Sequence, residues 1–417
     1  MEIILFAIPF FFLLIAIEIW VDQKKGTQYY QFNDAITSLN LGVMSRLTGI
    51  FKLLLPFSAY VWLYQNHAIW QWQSILVLWV VAFVFYDLGY YWVHRISHRM
   101  HLMWGSHVVH HSSEEYNLTT ALRQTGSVAV FAWLVFLPLA FAGIPPEVFL
   151  ACAALNLVYQ FWVHTRHIDK LPNWFEAIFV TPSHHRVHHA LNREYIDKNY
   201  AGVFIIWDKI FGSFQAEKAG VEIVYGVSQQ LNSYNPIWAN LQVYGNILRD
   251  VWYTKSPLDK IKTLLMPPGW RAEDMKVQYP GKYVTTKTMR KYQTTLSNAM
   301  AVYILAQFTL LVAGVFVFLL QINNQPLWWN MAMSITGIIH CWLISGLQEN
   351  KPWTRWTEPL RILATSGFII ALQPEINLLS GATIAMISLG LIIWFNQLNA
   401  KAQEPNDTPP ESLQSDV

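Results

Sequence analysis

Histidines at metal-ligand spacing dominate one stretch in the first third of the sequence. His94 and His98 form an H-x-x-x-H pattern, and His107, His110 and His111 form an H-x-x-H-H pattern. On an α-helix, residues three or four positions apart share a face, with Cβ atoms about 5–6 Å apart. Imidazoles at this spacing can converge on one metal ion or on two adjacent ions.

A second H-x-x-H-H pattern lies far downstream, at His185, His188 and His189. The three motifs together supply eight imidazoles, more than the four ligands of a tetrahedral zinc ion. The number suits two ions, each with about four imidazoles and with open positions. The H-E-x-x-H motif of metalloproteases and the E-x-x-H arrangement of ferritin-like di-iron proteins are both missing from the sequence. The pattern therefore predicts an imidazole-rich non-haem iron site that suits dioxygen.

Three further histidines lie near these motifs. His164 ends an apolar segment, in the stretch QFWVHTRH, on the same predicted membrane face as the motifs. Because ligand sets draw on several helices, we expect His164 to be a ninth ligand, with His167 as the alternative. His184 precedes the last motif, and we expect it to orient a ligand rather than to bind metal. His67, His101 and His340 carry no motif, and we expect His340 to bond a neighbouring helix.

Asp87 lies seven residues before His94, two turns away on the same helix face. An ionisable group inside a membrane helix usually has a partner. A metal-bound histidine typically donates its other N–H to a carboxylate or a carbonyl. We therefore predict that Asp87 orients a ligand imidazole, and the alternative is a helix-packing carboxylate bonded to backbone or tyrosine.

Four polar side chains closely follow the H-x-x-H-H motif that ends at His111: Tyr116, Asn117, Arg123 and Gln124. We predict that Asn117 supports the metal ligands, and that the others either do the same or contact a lipid head group. Capping of the local loop and helix is the alternative for all four. The sequence indicates no catalytic residue beyond the metal ligands, and it singles out no residue for cofactor binding.

The composition of the chain indicates that membrane helices position these residues. The chain has 417 residues, of which 53% are hydrophobic and 13% charged, about half the usual charged share. Its formal net charge of +2 gives no reason to expect nucleic acid as a partner. Cys152 and Cys341 both fall in apolar runs, so we expect small buried side chains rather than a disulfide. Composition therefore predicts an all-α, polytopic membrane protein.

Nine segments are apolar enough to be membrane helices, which need around 20 residues each. They lie near residues 3–20, 46–66, 73–93, 127–143, 147–164, 299–321, 328–347, 360–373 and 376–396. The fourth, fifth and eighth are short or interrupted, so the fourth and fifth are also compatible with a tight hairpin or a re-entrant pair. We expect a catalytic region at 1–298, a C-terminal four-helix membrane region at 299–399 and a disordered tail at 400–417.

The distribution of basic residues predicts the orientation of this layout. If all nine segments cross, the loops near 67–72, 144–146, 322–327 and 374–375 share one side and contain no Lys or Arg. All 28 basic residues lie on the other side or at the helix ends that face it. By the positive-inside rule that side is cytoplasmic. The three histidine motifs lie there too, which predicts a cytoplasmic histidine-rich di-metal cap.

The cap contains the least apolar part of the chain, residues 165–298. Its aromatic-rich stretch NPIWANLQVYGNILRDVWY is compatible with an amphipathic helix at the membrane surface. Ordinary packing helices of a cytosolic cap are the alternative.

The histidine motifs also carry a resemblance to a known family. The stretches YYWVHRISH, HVVHHSSEEYNLTTALRQ, FWVHT, TPSHHRVHH and IDKNYAGVFIIWDKIFGSF resemble the fatty acid hydroxylase and sterol desaturase superfamily over roughly residues 80–220. The resemblance implies two iron ions, dioxygen as co-substrate and a membrane lipid as substrate. It implies eight ligands: His94, His98, His107, His110, His111, His185, His188 and His189.

Within the superfamily, these stretches are most similar to a branch that cleaves ether lipids. That branch hydroxylates the carbon next to the ether oxygen of alkylglycerols, with tetrahydrobiopterin as reductant, and releases an aldehyde and a glycerol derivative. Arg99 stands where the resemblance implies an acidic residue. An electron-donor protein is the expected partner if the pterin is not used.

Two other functions stay open at this point. A desaturase or a sterol or fatty acid hydroxylase would use the same ligands. A metal transporter would hold zinc on its histidines, although these cluster at one membrane face and no polar residues line a path across.

Overall fold

The structure, a computed structural model, describes residues 2–52, 54–127, 132–372 and 378–401. These residues form helices and loops, and in this part of the chain extended backbone pairs only at two isolated bridges. The predicted all-α fold is therefore confirmed. The α-helices are α1 (Glu2–Lys25), α2 (Phe32–Lys52), α3 (Leu54–His67), α4 (Ile75–Arg99), α5 (His101–His111), α6 (Leu118–Ala121), α7 (Leu137–Phe141), α8 (Pro146–Trp162), α9 (Asn173–Ile178), α10 (Pro182–His188), α11 (Ile206–Ile210), α12 (Pro236–Tyr253), α13 (Pro257–Leu265), α14 (Glu273–Gln278), α15 (Asn298–Gln321), α16 (Leu327–Gln348), α17 (Thr354–Leu372) and α18 (Leu378–Lys401). Two 3-10 helices span Ala132–Phe136 and Ile322–Asn324.

Five of the described helical stretches are long and apolar enough to cross a membrane. They are Ile3–Lys25, Ile75–Arg99, Asn298–Asn324, Leu327–Gln348 and Leu379–Ala400. Their outer surfaces expose large apolar side chains such as Phe6, Phe10 and Leu389, which suits contact with lipid. The chain is a polytopic membrane protein.

The other four predicted segments fold in different ways. Residues 46–66 are divided between α2 and α3, and 360–373 begins inside α17. The described part of 127–143 forms the first 3-10 helix and α7, and 147–164 corresponds to the 17-residue α8. The number nine stays a prediction.

The largest apolar core connects the two ends of the chain. Ile36, Met44 and Leu47 of α2 pack in one cluster with side chains of α15, α16 and α18, such as Tyr303 and Ile344. The C-terminal helices α15, α16 and α18 therefore pack on the N-terminal region rather than form a detached unit. The predicted domain boundary at 298/299 stays a prediction, and the predicted disordered tail lies outside the described residues from 402 onward.

Local signals in the sequence set the ends of the histidine-bearing helices. Ser74 caps α4, its hydroxyl accepting a hydrogen bond from Val77 N. Met100 has an extended backbone, with φ −132°, and separates α4 from α5. Pro182 starts α10, where its missing N–H costs nothing. A new helix, α5, therefore begins directly after the histidine pair of α4.

Two smaller predictions can be compared with the fold. The cysteines are free and buried, and His340 Nε2 lies 2.9 Å from Thr365 Oγ1 on α17, so both predictions are confirmed. Helix α12 buries Val243 and Ile247 but exposes Trp252. It is amphipathic, and its contact with a membrane surface stays a prediction.

Candidate metal centre

Nine histidines meet in two adjacent groups at the ends of α4, α5, α8 and α10. In each group, the candidate ligand atoms all lie within 4.8 Å of one another. The first histidine group is His94, His98, His107, His111 and His188, and the second histidine group is His110, His164, His185 and His189. The structure thus brings together all nine predicted metal ligands, His164 included.

The two H-x-x-H-H motifs each contribute to both groups, in a complementary way. On α5, the first and last histidines of the motif join the first group, and His110 joins the second. On α10 the pattern is reversed, because His188 joins the first group while His185 and His189 join the second. The i, i+4 pair of each helix therefore faces one group, and the i+3 residue faces the other.

Main-chain carbonyl groups orient four of the nine imidazoles. His94 Nδ1 lies 2.6 Å from Tyr200 O, and His188 Nδ1 lies 2.9 Å from Lys198 O. In the second group, His110 Nδ1 lies 2.9 Å from Arg123 O, and His164 Nδ1 lies 2.7 Å from Gln160 O. A carbonyl oxygen only accepts hydrogen bonds, so each of these Nδ1 atoms donates. The lone pair of each neutral ring is then on Nε2.

The Nε2 atoms point at one another, which tests whether the residues fit a metal. His110 Nε2 lies 3.2 Å from His164 Nε2, and neither atom carries a proton if both Nδ1 atoms donate. His94 Nε2, which also lacks a proton if its Nδ1 donates, lies 2.8 Å from His107 Nε2, and the buried His98 Nε2 has no hydrogen-bond partner among the described residues. Facing lone pairs repel, and buried polar atoms without a partner are costly. A cation between the rings resolves both problems, so the residues fit a metal.

Burial keeps the imidazoles outside the membrane span neutral. It lowers the pKa of His110 to about 4 and the pKa of His188 to about 3. Burial, together with neighbouring imidazoles, lowers the pKa of His107, His111 and His164 well below 6.5. Metal binding requires deprotonated ligands, and these rings meet that requirement at neutral pH.

Asp87 is buried but does not make the predicted contact with a ligand imidazole. Its carboxylate accepts hydrogen bonds from Val203 N, Phe204 N and the side chains of Asn156 and Trp207, at 2.7–3.0 Å. The predicted contact with an imidazole is missing because backbone amides of the loop after α10 occupy the carboxylate oxygens instead. Asp87 therefore holds that loop.

The polar residues after the motif that ends at His111 support the local fold. Asn117 caps α6 and donates to Tyr29 O, and Gln124 donates to Ala121 O. Tyr116 donates to Val163 O, and its ring packs on His164. The buried Arg123 donates to Val109 O and Ser112 Oγ, while its own carbonyl orients His110. Tyr116 and Arg123 thus contact the second histidine group and Asn117 does not.

The histidines outside the two groups have other surroundings. His184 Nδ1 lies 3.3 Å from Thr181 Oγ1, and its ring packs on Phe214. His167 lies beside Tyr29 and 3.8 Å from Asp22. Neither belongs to a group of candidate ligand atoms in the described part of the chain.

The segment from Ile196 to Asp208, here called the carbonyl segment, belongs to a stretch that carries the family resemblance, but no role in orienting the ligands was predicted for it. It provides the carbonyls that orient His94 and His188, and its Asp197 Oδ1 lies 3.8 Å from His98 Nδ1. Asp208 holds it by accepting from Tyr200 N and Ala201 N, both at 2.8 Å. Every residue has a carbonyl group, so no side-chain pattern marks such a role. Asp208, an acidic residue in an otherwise apolar stretch, was the available signal.

A polar chamber adjoins the two histidine groups on the side of the membrane helices. His107, His110 and His164 form part of its wall. The remaining wall residues come mainly from α4, α8 and the segment after α5: Tyr86, Tyr90, Ser106, Ala121, Gln124, Thr125, Ala153, Asn156, Leu157 and Gln160. A small molecule in this chamber would contact the histidines directly.

Known proteins resemble the chain over this region and beyond. The fatty acid hydroxylase family matches residues 79–213. Alkylglycerol monooxygenase of Homo sapiens is 39% identical over 312 residues, covering 74% of this chain and 69% of the relative. Alkylglycerol monooxygenase of Xenopus tropicalis is 36% identical over 310 residues, covering 74% and 68%.

More distant relatives match a smaller share of the chain. An ornithine lipid hydroxylase of Rhizobium tropici is 29% identical over 154 residues, covering 36% of this chain and 46% of the relative. No solved structure matches the chain significantly.

Proposed function

The chain belongs to the alkylglycerol monooxygenase family of membrane-bound lipid monooxygenases, and we propose that it cleaves alkylglycerols at a site holding two iron ions. The observation that carries this proposal is the pair of adjacent histidine groups opening onto a polar chamber. Imidazole ligands suit iron, and hydroxylases of this kind leave coordination positions open for dioxygen.

The first histidine group would hold one iron ion and the second histidine group the other. Four Nδ1–H groups donate to carbonyl oxygens and so aim their Nε2 lone pairs at the ion positions. Asp87 and Asp208 affect the ligands indirectly, because they bind backbone amides of the carbonyl segment and not an imidazole ring. In this proposal Asn117 and His184 support the fold around the site.

When bound, the iron would activate dioxygen, so that one oxygen atom enters the C–H bond next to the ether oxygen and the other leaves as water. Two electrons and two protons are needed for this balance, and we assign the electrons to tetrahydrobiopterin. The hydroxylated ether is a hemiacetal, which separates into an aldehyde and a glycerol derivative. An electron-donor protein replaces the pterin if the pterin does not support turnover.

The chamber wall suits the glycerol end of such a lipid. Tyr90 donates to Gln160 Oε1 at 2.7 Å, and Gln160 Nε2 donates to Asn156 Oδ1 at 2.6 Å. Asn156 in turn donates to Asp87 at 2.7 Å. This chain of hydrogen bonds fixes the wall beside His164, because Gln160 also provides the carbonyl that orients His164. Glycerol hydroxyl groups would bind to amide and phenol groups that are already in place.

Assay of defined lipids tests the proposal. Membranes containing the protein are incubated with an alkylglycerol, a free fatty acid or a sterol, each with and without tetrahydrobiopterin, and the products are identified by mass. We expect a fatty aldehyde from the alkylglycerol, dependent on the pterin, and none from membranes carrying His185→Ala. A hydroxylated fatty acid or an altered sterol, with no aldehyde, would contradict the proposal.

We also propose that the site faces the cytoplasm, as the distribution of basic residues supports. A single cysteine at the exposed Ala219, on the histidine side, should resist a membrane-impermeant thiol reagent in intact cells. A cysteine at the exposed Gln71, near the start of α4, should react. Cys152 and Cys341 are buried and give a low background. The opposite labelling pattern would reverse the orientation.

A further inference from the structure

A second cavity lies beside the polar chamber, within the membrane region. Helices α1, α2, α8 and α15 and the segment after α6 enclose it. Of its wall residues only Arg46 and Gln124 are polar. The others are Ile4, Ile8, Phe11, Phe12, Leu39, Gly42, Val43, Ala121, Leu122, Leu157, Phe161, Val312, Val315, Phe316 and Leu319. Such walls suit methylene groups and offer few partners to a polar ligand.

This apolar cavity and the polar chamber share part of their walls. Ala121, Gln124 and Leu157 are wall residues of both the cavity and the chamber. The chamber in turn contacts His107 and His110. The two spaces are therefore adjacent, and a ligand that spans them would have its polar end in the chamber and its apolar chain in the cavity, with the bond between them near the histidines.

Helix α15 forms one wall of the cavity, although it lies outside residues 79–213, which match the fatty acid hydroxylases. Its wall residues run from Val312 to Leu319, about 10 Å of helix. Val315 and Leu319 are buried. Val317, between them, is 53% exposed and faces away from the cavity. The C-terminal region thus contributes a surface to the cavity.

We propose that the alkyl chain of the lipid substrate occupies this cavity and that α15 sets the chain length the enzyme accepts. This inference rests on the proposed cleavage of alkylglycerols. Binding there would place the glycerol in the chamber and the carbon next to the ether oxygen beside the histidines. Val315 and Leu319 are then specificity-determining residues that have no part in metal binding.

The test compares cleavage of alkylglycerols with short and long chains by the full-length enzyme. Val315→Trp fills the cavity, so the ratio of kcat/KM for long over short chains should fall about tenfold or more. Leu319→Ala enlarges the cavity and should raise the same ratio. Val317→Trp is the matched control on the lipid-facing side of α15, and its ratio should equal that of the wild type.

The outcomes separate the two proposals. An unchanged ratio in both Val315→Trp and Leu319→Ala, with normal protein abundance and a wild type that cleaves alkylglycerols, would overturn the cavity assignment alone. A wild type that cleaves no alkylglycerol of any length would overturn the proposed function and, with it, the assignment.

Discussion

The histidine-bearing helices and the carbonyl segment surround the same site but contribute to it in different ways. Helices α4, α5 and α10, with the residue after α10, supply eight of the nine candidate ligands. The carbonyl segment supplies no histidine, yet it orients two rings by its backbone and faces a third with Asp197. The comparison shows that ligand identity depends on side-chain type, whereas ligand orientation depends on where the main chain passes.

The two regions are also held in place differently. Helical hydrogen bonds hold the ligands of α4 and α5. Two buried carboxylates hold the carbonyl segment, because Asp208 accepts from the amides of Tyr200 and Ala201, and Asp87 accepts from those of Val203 and Phe204. The orientation of His94 and His188 thus depends on side chains that contact neither ring. Substitutions in each region should separate these contributions.

The largest effect is expected from the histidine-bearing helices. His110→Ala removes a ring of the second histidine group, and activity should fall below detection while the protein still inserts normally. Losing one buried ring among several side chains need not unfold a multi-span bundle. The measurements are protein abundance, iron per protein and aldehyde formation. His67→Ala, at the exposed end of α3, is the control and should behave as the wild type. Near-normal turnover in His110→Ala would exclude the second group from metal binding.

An intermediate effect is expected from the carboxylates beneath the carbonyl segment. Asp208→Asn keeps one acceptor oxygen but puts an amide NH₂ group against backbone N–H groups. Loss of a residue that positions a ligand typically costs about 10–100-fold in metal affinity or activity. We therefore expect lowered iron content and weakened turnover, partly restored by excess iron. Asp87→Asn should behave similarly, because it holds the neighbouring amides of the same segment.

The control for these variants is Asp169→Asn, since the Asp169 side chain is 95% exposed. Iron per protein and turnover per iron distinguish a positioning role from a purely structural one. Reduced protein abundance with normal iron and normal turnover per folded molecule would mean that Asp87 and Asp208 only stabilise the fold. Unchanged iron and turnover at normal abundance would separate the carbonyl segment from the site.

The two regions also differ in how much of them could be predicted from the sequence. Helical spacing of His107, His110 and His111 predicts a metal site because one periodicity relates sequence to a helix face. The spacing could not assign these residues to the first or the second histidine group, because the assignment depends on how α5 and α10 are placed relative to each other. Asp87 was correctly predicted to have a partner, but the backbone amides that it binds, Val203 N and Phe204 N, lie more than 100 residues away along the chain. The fold class followed from composition, whereas the packing of α2 against α15 and α16 depends on long-range contacts that no local pattern encodes.

The smallest effect is expected from Arg99, where the two regions meet at the surface. Arg99 Nη1 lies 2.7 Å from Asp197 Oδ2, and the Arg99 side chain is 56% exposed. Exposed ion pairs contribute about 0–1 kcal/mol, so Arg99→Ala should change turnover by about fivefold or less. Arg99→Glu should lower turnover further, because it places a like charge beside the carboxylate that faces His98. This additional loss should shrink at high salt, since screening acts on exposed charges. Turnover measured for both variants at low and high salt checks the prediction. A loss for Arg99→Ala as large as that for Asp208→Asn, and independent of salt, would mean that Arg99 belongs to the site itself rather than to its rim.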